Sequence, residues 1–208
     1  MKDPDLYRVQ KADEDKLVTL LTECFSKDPL YCQLIPQSKI RNKLLPEIFS
    51  CDLDELFETC EVYADGPALN GIIIVSDETE EYDPVRYYVC EAFYILKIAL
   101  VLIREDFSLK TLLRFFRGKP FWDSAWTDEL GNQRRMHIVY FAVRPSARGQ
   151  GVSSRLMKSV LQYADSQGLS LSLETHNTKN VGMYQHYGFR LVNVLQQEKR
   201  LRQYCMVR

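Results

Sequence analysis

The stretch HIVYFAVRPSARGQGVSSRL, residues 137 to 156, joins an apolar run to a segment with helical spacing. The apolar run predicts a strand over residues 136–143, and the segment after the junction predicts a helix that ends at Gly168. One face of this helix carries the periodic side chains Leu156, Val160, Tyr163 and Ala164. A proline, two arginines and two glycines separate the two elements. This composition is typical of a ligand-binding turn, but also of a plain tight connection.

The junction has three features that attract an anion. The first backbone N–H groups of the helix lack intrahelical partners, and the helix N-terminus favours negative charge. Gly149 and Gly151 let a ligand approach the backbone, and Arg148 adds a guanidinium group. A pyrophosphate would satisfy all three features. Because neither GxxxxGK nor GxGxxG is present, sites for nucleoside triphosphates and dinucleotides are disfavoured.

A second segment, residues 173–189, decides between the two interpretations. The junction matches the pattern V-x-P-x-x-R-G-x-G from Val143 to Gly151, and the second segment matches N-x-x-x-Y-x-x-x-GF from Asn180 to Phe189. Together they resemble the GNAT superfamily of acetyl-CoA-dependent N-acetyltransferases. Ser153 departs from the family pattern, which usually has glycine or alanine there. The Leu-Glu-Thr sequence before the second motif is similar to the puromycin-acetyltransferase-like branch.

The resemblance implies an α/β (mixed α+β) fold. Its sheet is mixed and mostly antiparallel, with a central parallel pair of strands splayed for coenzyme A and helices on both faces. The strands ending at Val143 and near Thr175 would form that pair. Three groups of residues are expected to contact the cofactor. The backbone groups of Phe141, Ala142 and Val143 would pair with the pantetheine arm, and Asn180 would reach this arm from the opposite side. The pyrophosphate would be bound by Arg148 and by the amides of Gly149, Gln150, Gly151, Val152 and Ser153.

The implied activity is the direct transfer of an acetyl group from acetyl-CoA to the primary amine of a small molecule in a ternary complex. Tyr184 matches the tyrosine that the family places beside the thioester sulfur, and a phenol can protonate the leaving thiolate. His137 is the predicted base, because imidazole accepts protons near neutral pH. Glu174 and a water molecule are the alternatives to His137. A catalytically silent domain that binds acyl-CoA as a sensor or scaffold is the alternative function.

The order of predicted elements fits one domain over residues 1–208, with a helical insertion at about 84–120. Pro46 indicates a helix start or a kink, and the helical pattern at 84–117 breaks near residues 106–108. The predicted strands lie at 7–10, 60–64, 71–76, 136–143, 169–173, 189–196 and 201–207, and the predicted helices at 13–25, 40–57, 84–117, 148–168 and 180–187.

Composition restricts the partners. The chain has 27 basic and 28 acidic residues among 208, so no overall field favours nucleic acid. The apolar stretch Tyr87–Ile103 is short for a membrane span and carries Glu91 and Lys97. The six cysteines are scattered, and neither they nor His137, His176 and His186 have the spacing of metal ligands. The N-terminal residues are charged where a secretory signal would be apolar, which predicts a cytoplasmic protein. We therefore expect no membrane, nucleic-acid or metal partner.

The acceptor is the least determined part of the prediction. The expected acceptor side is rich in aromatic residues, which suggests an amine with an apolar or aromatic body and places Trp122 and Trp126 near the mouth of the site. A core role for these aromatic residues is the alternative. Protein lysines also remain as acceptors, and a homodimer joined through the terminal strands remains as an assembly.

Overall fold

A computed structural model describes residues 5–77, 84–105, 109–118, 121, 124–131, 134–197 and 201–208. Within these ranges seven strands form one sheet in the order β1-β2-β3-β4-β5-β7-β6. The strands are β1 (Tyr7–Arg8), β2 (Glu61–Ala64), β3 (Gly71–Asp77), β4 (Arg135–Val143), β5 (Ser170–Thr175), β6 (Arg190–Gln197) and β7 (Leu201–Val207). The β4–β5 pair is parallel and the other neighbours are antiparallel, which confirms the predicted mixed sheet.

Seven α-helices surround the sheet in the described ranges. They are α1 (Glu14–Phe25), α2 (Pro29–Leu34), α3 (Ser38–Thr59), α4 (Pro84–Glu105), α5 (Lys110–Arg117), α6 (Val152–Gln167) and α7 (Thr178–His186). A 3-10 helix, Ala125–Leu130, precedes β4. Helices α4 and α5 occupy the region of the predicted helical insertion. The break predicted near residues 106–108 lies outside the described residues.

Successive side chains of a strand point to opposite faces of the sheet, and here both faces are buried. On one face Ile73, Val75, Met136 and Ile138 pack with the apolar side of α6 and with Tyr184 of α7. On the other face, Ile72, Ile74 and Ala142 pack against leucines of α1 and against α3. Helices on both faces are therefore confirmed. A third cluster joins α2, α3, α4 and α5 beyond the sheet.

Of the two roles predicted for Pro46, a helix start or a kink, the structure contradicts the helix start. Helix α3 runs without interruption through Pro46, so this proline does not begin a helix. A proline inside a helix removes one backbone hydrogen bond and crowds the preceding turn, but the buried side chains Leu44, Leu45, Ile48 and Phe49 around it hold this helix in the core. Helix α2 was not predicted from the sequence; it starts at Asp28 and Pro29, where the Asp28 carboxylate accepts a bond from the Leu30 N–H.

No helix in the described residues is both long and apolar enough to cross a lipid bilayer.

Candidate active site

The two parallel strands separate halfway along their length. Their pairing runs from Arg135 opposite Ser170 to Ile138 opposite Leu173. Beyond that point β4 continues to pair with β3 as far as Val143, while β5 stays with β7 as far as Thr175. The register of β4 on β3 shifts at Val139, and such a bulge bends its strand. The predicted splay is therefore present and starts at this bulge.

The junction after β4 holds a row of unused donors. The short 3-10 turn Pro145–Ala147 leads to Gly149 and Gly151, both with φ of +78°, a conformation that strains residues with a Cβ. The space beside both glycines is open on the side where a Cβ would stand. In the described part of the chain, no acceptor stands in hydrogen-bond geometry to the backbone N–H groups of residues 149–153, which are Gly149, Gln150, Gly151, Val152 and Ser153.

Positive charge accompanies these donors. The Arg148 side chain is exposed at the junction, and its Nε donates to the Val143 carbonyl at 3.4 Å. The Gln150 amide instead turns back to donate to the Ser146 carbonyl at 3.0 Å. Free amides at the start of α6 beside an exposed guanidinium suit a phosphate or diphosphate group.

Helix α7 begins on the other side of the splay. The Asn177 side chain caps it by accepting from the Lys179 N–H at 3.1 Å. Asn180, in the first turn, donates from Nδ2 to Thr175 Oγ1 at the end of β5, at 3.3 Å. The structure therefore places Asn180 beside the end of β5, across the gap from the strand end at Val143.

Tyr184 lies on α7 with only 5% of its surface exposed. Its ring packs edge-on against Phe189, with centroids 5.9 Å apart, and 6.4 Å from the ring of Phe141 on β4. Burial, with the nearby carboxylates of Glu174 and Asp28, raises the pKa of Tyr184. The hydroxyl has no hydrogen-bond partner among the described residues, so at neutral pH it is a protonated phenol with an unused donor.

The side chains of His137 and Glu174 lie next to each other on neighbouring strands. His137 Nε2 lies 3.3 Å from Glu174 Oε2, and Nδ1 lies 2.8 Å from Ser172 Oγ. The side chain of Glu174 is 16% exposed, against 4% for His137. Burial by itself raises the pKa of Glu174, but His137 and two hydrogen bonds outweigh it and lower that pKa. Glu174 is therefore an anion at neutral pH.

Two further side chains hold Glu174, and both come from the segment before β4. Ser124 Oγ donates to Glu174 Oε1 at 2.7 Å and also lies 3.1 Å from His137 Nε2. The indole N–H of Trp126 donates to Glu174 Oε2 at 3.1 Å. Trp126 thus touches the predicted site, although as a partner of the carboxylate. Trp122 lies outside the described residues.

Sequence similarity identifies the family of this arrangement. The model of the acetyltransferase (GNAT) family matches residues 55–189, which include the splayed strands, the junction and α7. The chain belongs to the GNAT family of acetyltransferases.

Relatives of this GNAT protein agree with the assignment. The uncharacterized N-acetyltransferase C550.08 of Schizosaccharomyces pombe is 22% identical over 191 residues, 88% of this chain and 72% of the relative. The fold is also similar to a solved structure from Corynebacterium glutamicum described as "histone acetyltransferase HPA2 and related acetyltransferase". Its TM-score is 0.64 at 18% identity, and the match covers 99% of this chain and 96% of that chain. The polyamine N-acetyltransferase of Drosophila melanogaster has a TM-score of 0.51 at 16% identity, with 97% of each chain covered. At such identities the two structures show the fold alone.

A partly buried polar cluster that the sequence did not predict lies on the α1 and α3 side of this GNAT sheet. The Tyr140 hydroxyl donates to Asp52 Oδ2 at 2.9 Å and lies 3.2 Å from the Tyr31 hydroxyl. Burial raises the pKa of Asp52 from its ordinary 3.8 to about 7. No sequence motif marks Asp52, because its hydrogen-bond partner Tyr140 is 88 residues away along the chain.

The remaining histidines are not grouped with other metal-ligand side chains in the described residues. His176 follows β5, and its Nε2 is buried without a partner among the described residues. Burial lowers the pKa of His176, so its imidazole is neutral. In the described ranges no three His, Cys, Asp or Glu side chains are grouped as a metal site.

Proposed function

We propose that this GNAT protein transfers the acetyl group of acetyl-CoA directly to the primary amine of a small molecule. The observation that carries the proposal is the row of unused amides at residues 149–153, which opens onto a splay flanked by a protonated phenol, Tyr184, and an ionised carboxylate, Glu174. A diphosphate site, a gap for an extended arm and two proton-transfer groups are what this reaction requires.

The residues of the junction fit coenzyme A as the acyl carrier. The backbone of Phe141, Ala142 and Val143 has β3 on one side and no strand on the other, so it can pair with an extended pantetheine arm. Residues Gly149–Ser153 and Arg148 would bind the diphosphate. Asn180 would contact the arm from the α7 side. The family generally uses acetyl-CoA as the acyl donor.

An amine must lose a proton before it can attack. An alkylammonium with a pKa of about 10.4 is less than about one part in a thousand neutral at pH 7. We assign the base to His137, with Glu174 as the counter-charge that stabilises the imidazolium at 3.3 Å. In this assignment neutral His137 carries its proton on Nδ1, toward Ser172 Oγ at 2.8 Å, and because the ring is buried Nε2 receives the ammonium proton through the Ser124 hydroxyl, 3.1 Å away, or through a water molecule.

Tyr184 is the proposed acid. The amine nitrogen attacks the thioester carbonyl carbon, the C–N bond forms, and the C–S bond breaks with its electron pair on sulfur. One proton of the ammonium group goes to His137 before the attack. The Tyr184 hydroxyl protonates the thiolate, and the second proton that the nitrogen loses restores the Tyr184 phenol, directly or through water. The raised pKa of Tyr184 keeps the phenol protonated until the thiolate develops.

The first experiment measures thiol release from acetyl-CoA across a panel of primary amines. We expect turnover by the wild type, loss of about 10²-fold or more in kcat for Tyr184→Phe, and a raised KM for acetyl-CoA in Arg148→Ala. Tyr187→Phe is the matched control, because Tyr187 follows the same helix and its ring packs with His186.

Two results would reject parts of this proposal. Undiminished turnover by Tyr184→Phe would remove Tyr184 as the acid. Acetyl-CoA binding by calorimetry with no turnover on any amine would instead favour the silent acyl-CoA-binding domain. Absence of binding as well would reject coenzyme A as the ligand.

The cellular setting belongs to the same proposal. The cysteines whose side chains are described, Cys24, Cys32, Cys51, Cys60 and Cys205, are all free thiols, which is compatible with a reducing cytoplasm. The predicted homodimer would use the edge strand β6, where Leu191, Val192 and Val194 are exposed. Light scattering of wild type and Val192→Lys tests that assembly: dissociation by the lysine supports it, and a monomeric wild type rejects it.

A further inference from the structure

Exposed apolar side chains are concentrated on the two helices of the insertion, α4 and α5, and between them. Among the described residues, six of the nine large hydrophobic side chains that are exposed lie between positions 93 and 116. They are Phe93, Leu96, Leu100, Leu109, Leu113 and Phe116, exposed to between 44% and 62%. Single exposed apolar side chains are ordinary, whereas a group of them on one surface marks a site that binds a protein or a membrane.

The exposed side chains of the two helices form one surface. Those of α4 recur at the i, i+3, i+7 spacing of a single helix face. Phe116 of α5 lines the crevice between the helices with Ile95 and Ala99 of α4, so it lies beside this face. Leu113 is one turn away from Phe116 on the exposed side of α5. The resulting α4–α5 patch consists of Phe93, Leu96, Leu100, Leu113 and Phe116.

The α4–α5 patch has a basic flank. Helix α5 contains Lys110, Arg114 and Arg117 and no acidic residue. All three basic side chains are exposed, and by helix geometry they lie beyond Leu113, on the side of α5 that is turned away from α4. In the described ranges no carboxylate forms an ion pair with Arg114 or Arg117. This flank is therefore locally positive, although the whole chain has a formal net charge of -1.

We propose that the α4–α5 patch binds the surface of an anionic lipid membrane. Leucine and phenylalanine side chains enter the boundary between headgroups and acyl chains, while lysine and arginine attract the anionic headgroups. The contact is peripheral, because none of the described helices is suited to crossing a bilayer. It replaces the expectation from the sequence that the chain has no membrane partner.

Two observations favour a membrane over a protein partner. Anchor side chains of a folded partner insert into pockets, but the crevice between α4 and α5 has a volume of about 20 Å³, enough for about one water molecule. A fluid lipid surface needs no such pocket. A second copy of the chain would bring the same patch and the same α5, which have no carboxylate to meet Arg114 and Arg117.

The test is co-sedimentation of the full chain with lipid vesicles. Wild type is expected to bind vesicles of phosphatidylserine and phosphatidylcholine at least tenfold more tightly than vesicles of phosphatidylcholine alone, and added salt should weaken this binding. Leu100→Glu combined with Leu113→Glu should reduce binding at least tenfold. Arg114→Gln combined with Arg117→Gln should reduce it about 25-fold, because each basic group near such a surface contributes about a factor of five.

The matched control is Arg155→Gln combined with Lys158→Gln, which removes two exposed basic side chains of α6 on the other face of the sheet and should leave binding unchanged. Urea unfolding checks that every variant is folded. Absence of wild-type binding, equal binding to both kinds of vesicle, or unchanged binding by a folded patch variant would overturn the proposal. A wild-type dimer that Leu100→Glu dissociates in light scattering would overturn it too, by assigning the patch to a second copy.

Discussion

Replacing Asp52 by asparagine should stabilise the protein at alkaline pH, which is unusual for the removal of a buried hydrogen-bonded group. The amide oxygen of asparagine can still accept the bond from Tyr140, at 2.9 Å in the wild type. The substitution removes the charge and puts an NH2 group in place of the second carboxylate oxygen, a change whose effect on stability does not depend on pH. We expect the folded structure to be retained.

The size of the effect follows from proton linkage. Burial raises the pKa of Asp52 from 3.8 to about 7, so between these values the folded protein binds the proton more tightly than the unfolded chain. This carboxyl group therefore costs stability progressively as pH rises from about 4 to about 7, and the cost is constant above that. At full ionisation the cost has an upper bound of about 4 kcal/mol, and roughly 2 to 3 kcal/mol of it develops between pH 5 and pH 8.

Urea unfolding of wild type and Asp52→Asn at pH 5 and pH 8 measures the effect. The stability gained by the variant should be larger at pH 8 than at pH 5 by roughly 2 kcal/mol. Asp28, whose pKa is raised to about 6 by burial, titrates in both proteins and cancels in the difference. A gain that is the same at both pH values, or a variant that is less stable at pH 8, would show that Asp52 is not desolvated in the folded protein.

Three further predictions concern the junction, the base and the core. Gly151→Val should raise the KM for acetyl-CoA at least tenfold, because φ is +78° there and a side chain would enter the open space beside the amides; unchanged KM in steady-state assays would contradict this. Glu174→Gln should lower kcat and move the acidic limb of the kcat/KM profile to lower pH, because the charge that favours protonated imidazole is lost; a profile displaced to higher pH would oppose it. Leu156→Ala should cost about 2–5 kcal/mol of unfolding free energy, against less than about 0.5 kcal/mol for the exposed Leu113→Ala, as measured by urea unfolding.

The elements around the junction could be predicted because their signals are local. A buried strand, two glycines and a periodic helix follow one another within residues 136–168, and each pattern depends on neighbours a few residues away. The same holds for α7 and its cap. Pro46 shows the limit of such reasoning, because the burial of the surrounding leucines, which is a tertiary property, outweighs the local preference of proline.

The composition of the site was only partly open to prediction. His137 and Glu174 were competing candidates for one role, and the structure places them in contact. Ser124 and Trp126 complete the group from a segment without a catalytic motif, where the only sequence signal was the tryptophan itself.

The sequence by itself determined the family, the strand-turn-helix junction and the positions of Asn180 and Tyr184, because backbone conformation and helix spacing are encoded by adjacent residues. Only the tertiary structure decided where β4 leaves β5, which groups hold Glu174, and that Asp52 meets Tyr140 and Tyr31. Those contacts join residues far apart in the sequence, up to 109 positions for Tyr31 and Tyr140, and their energies depend on burial that arises when the layers pack.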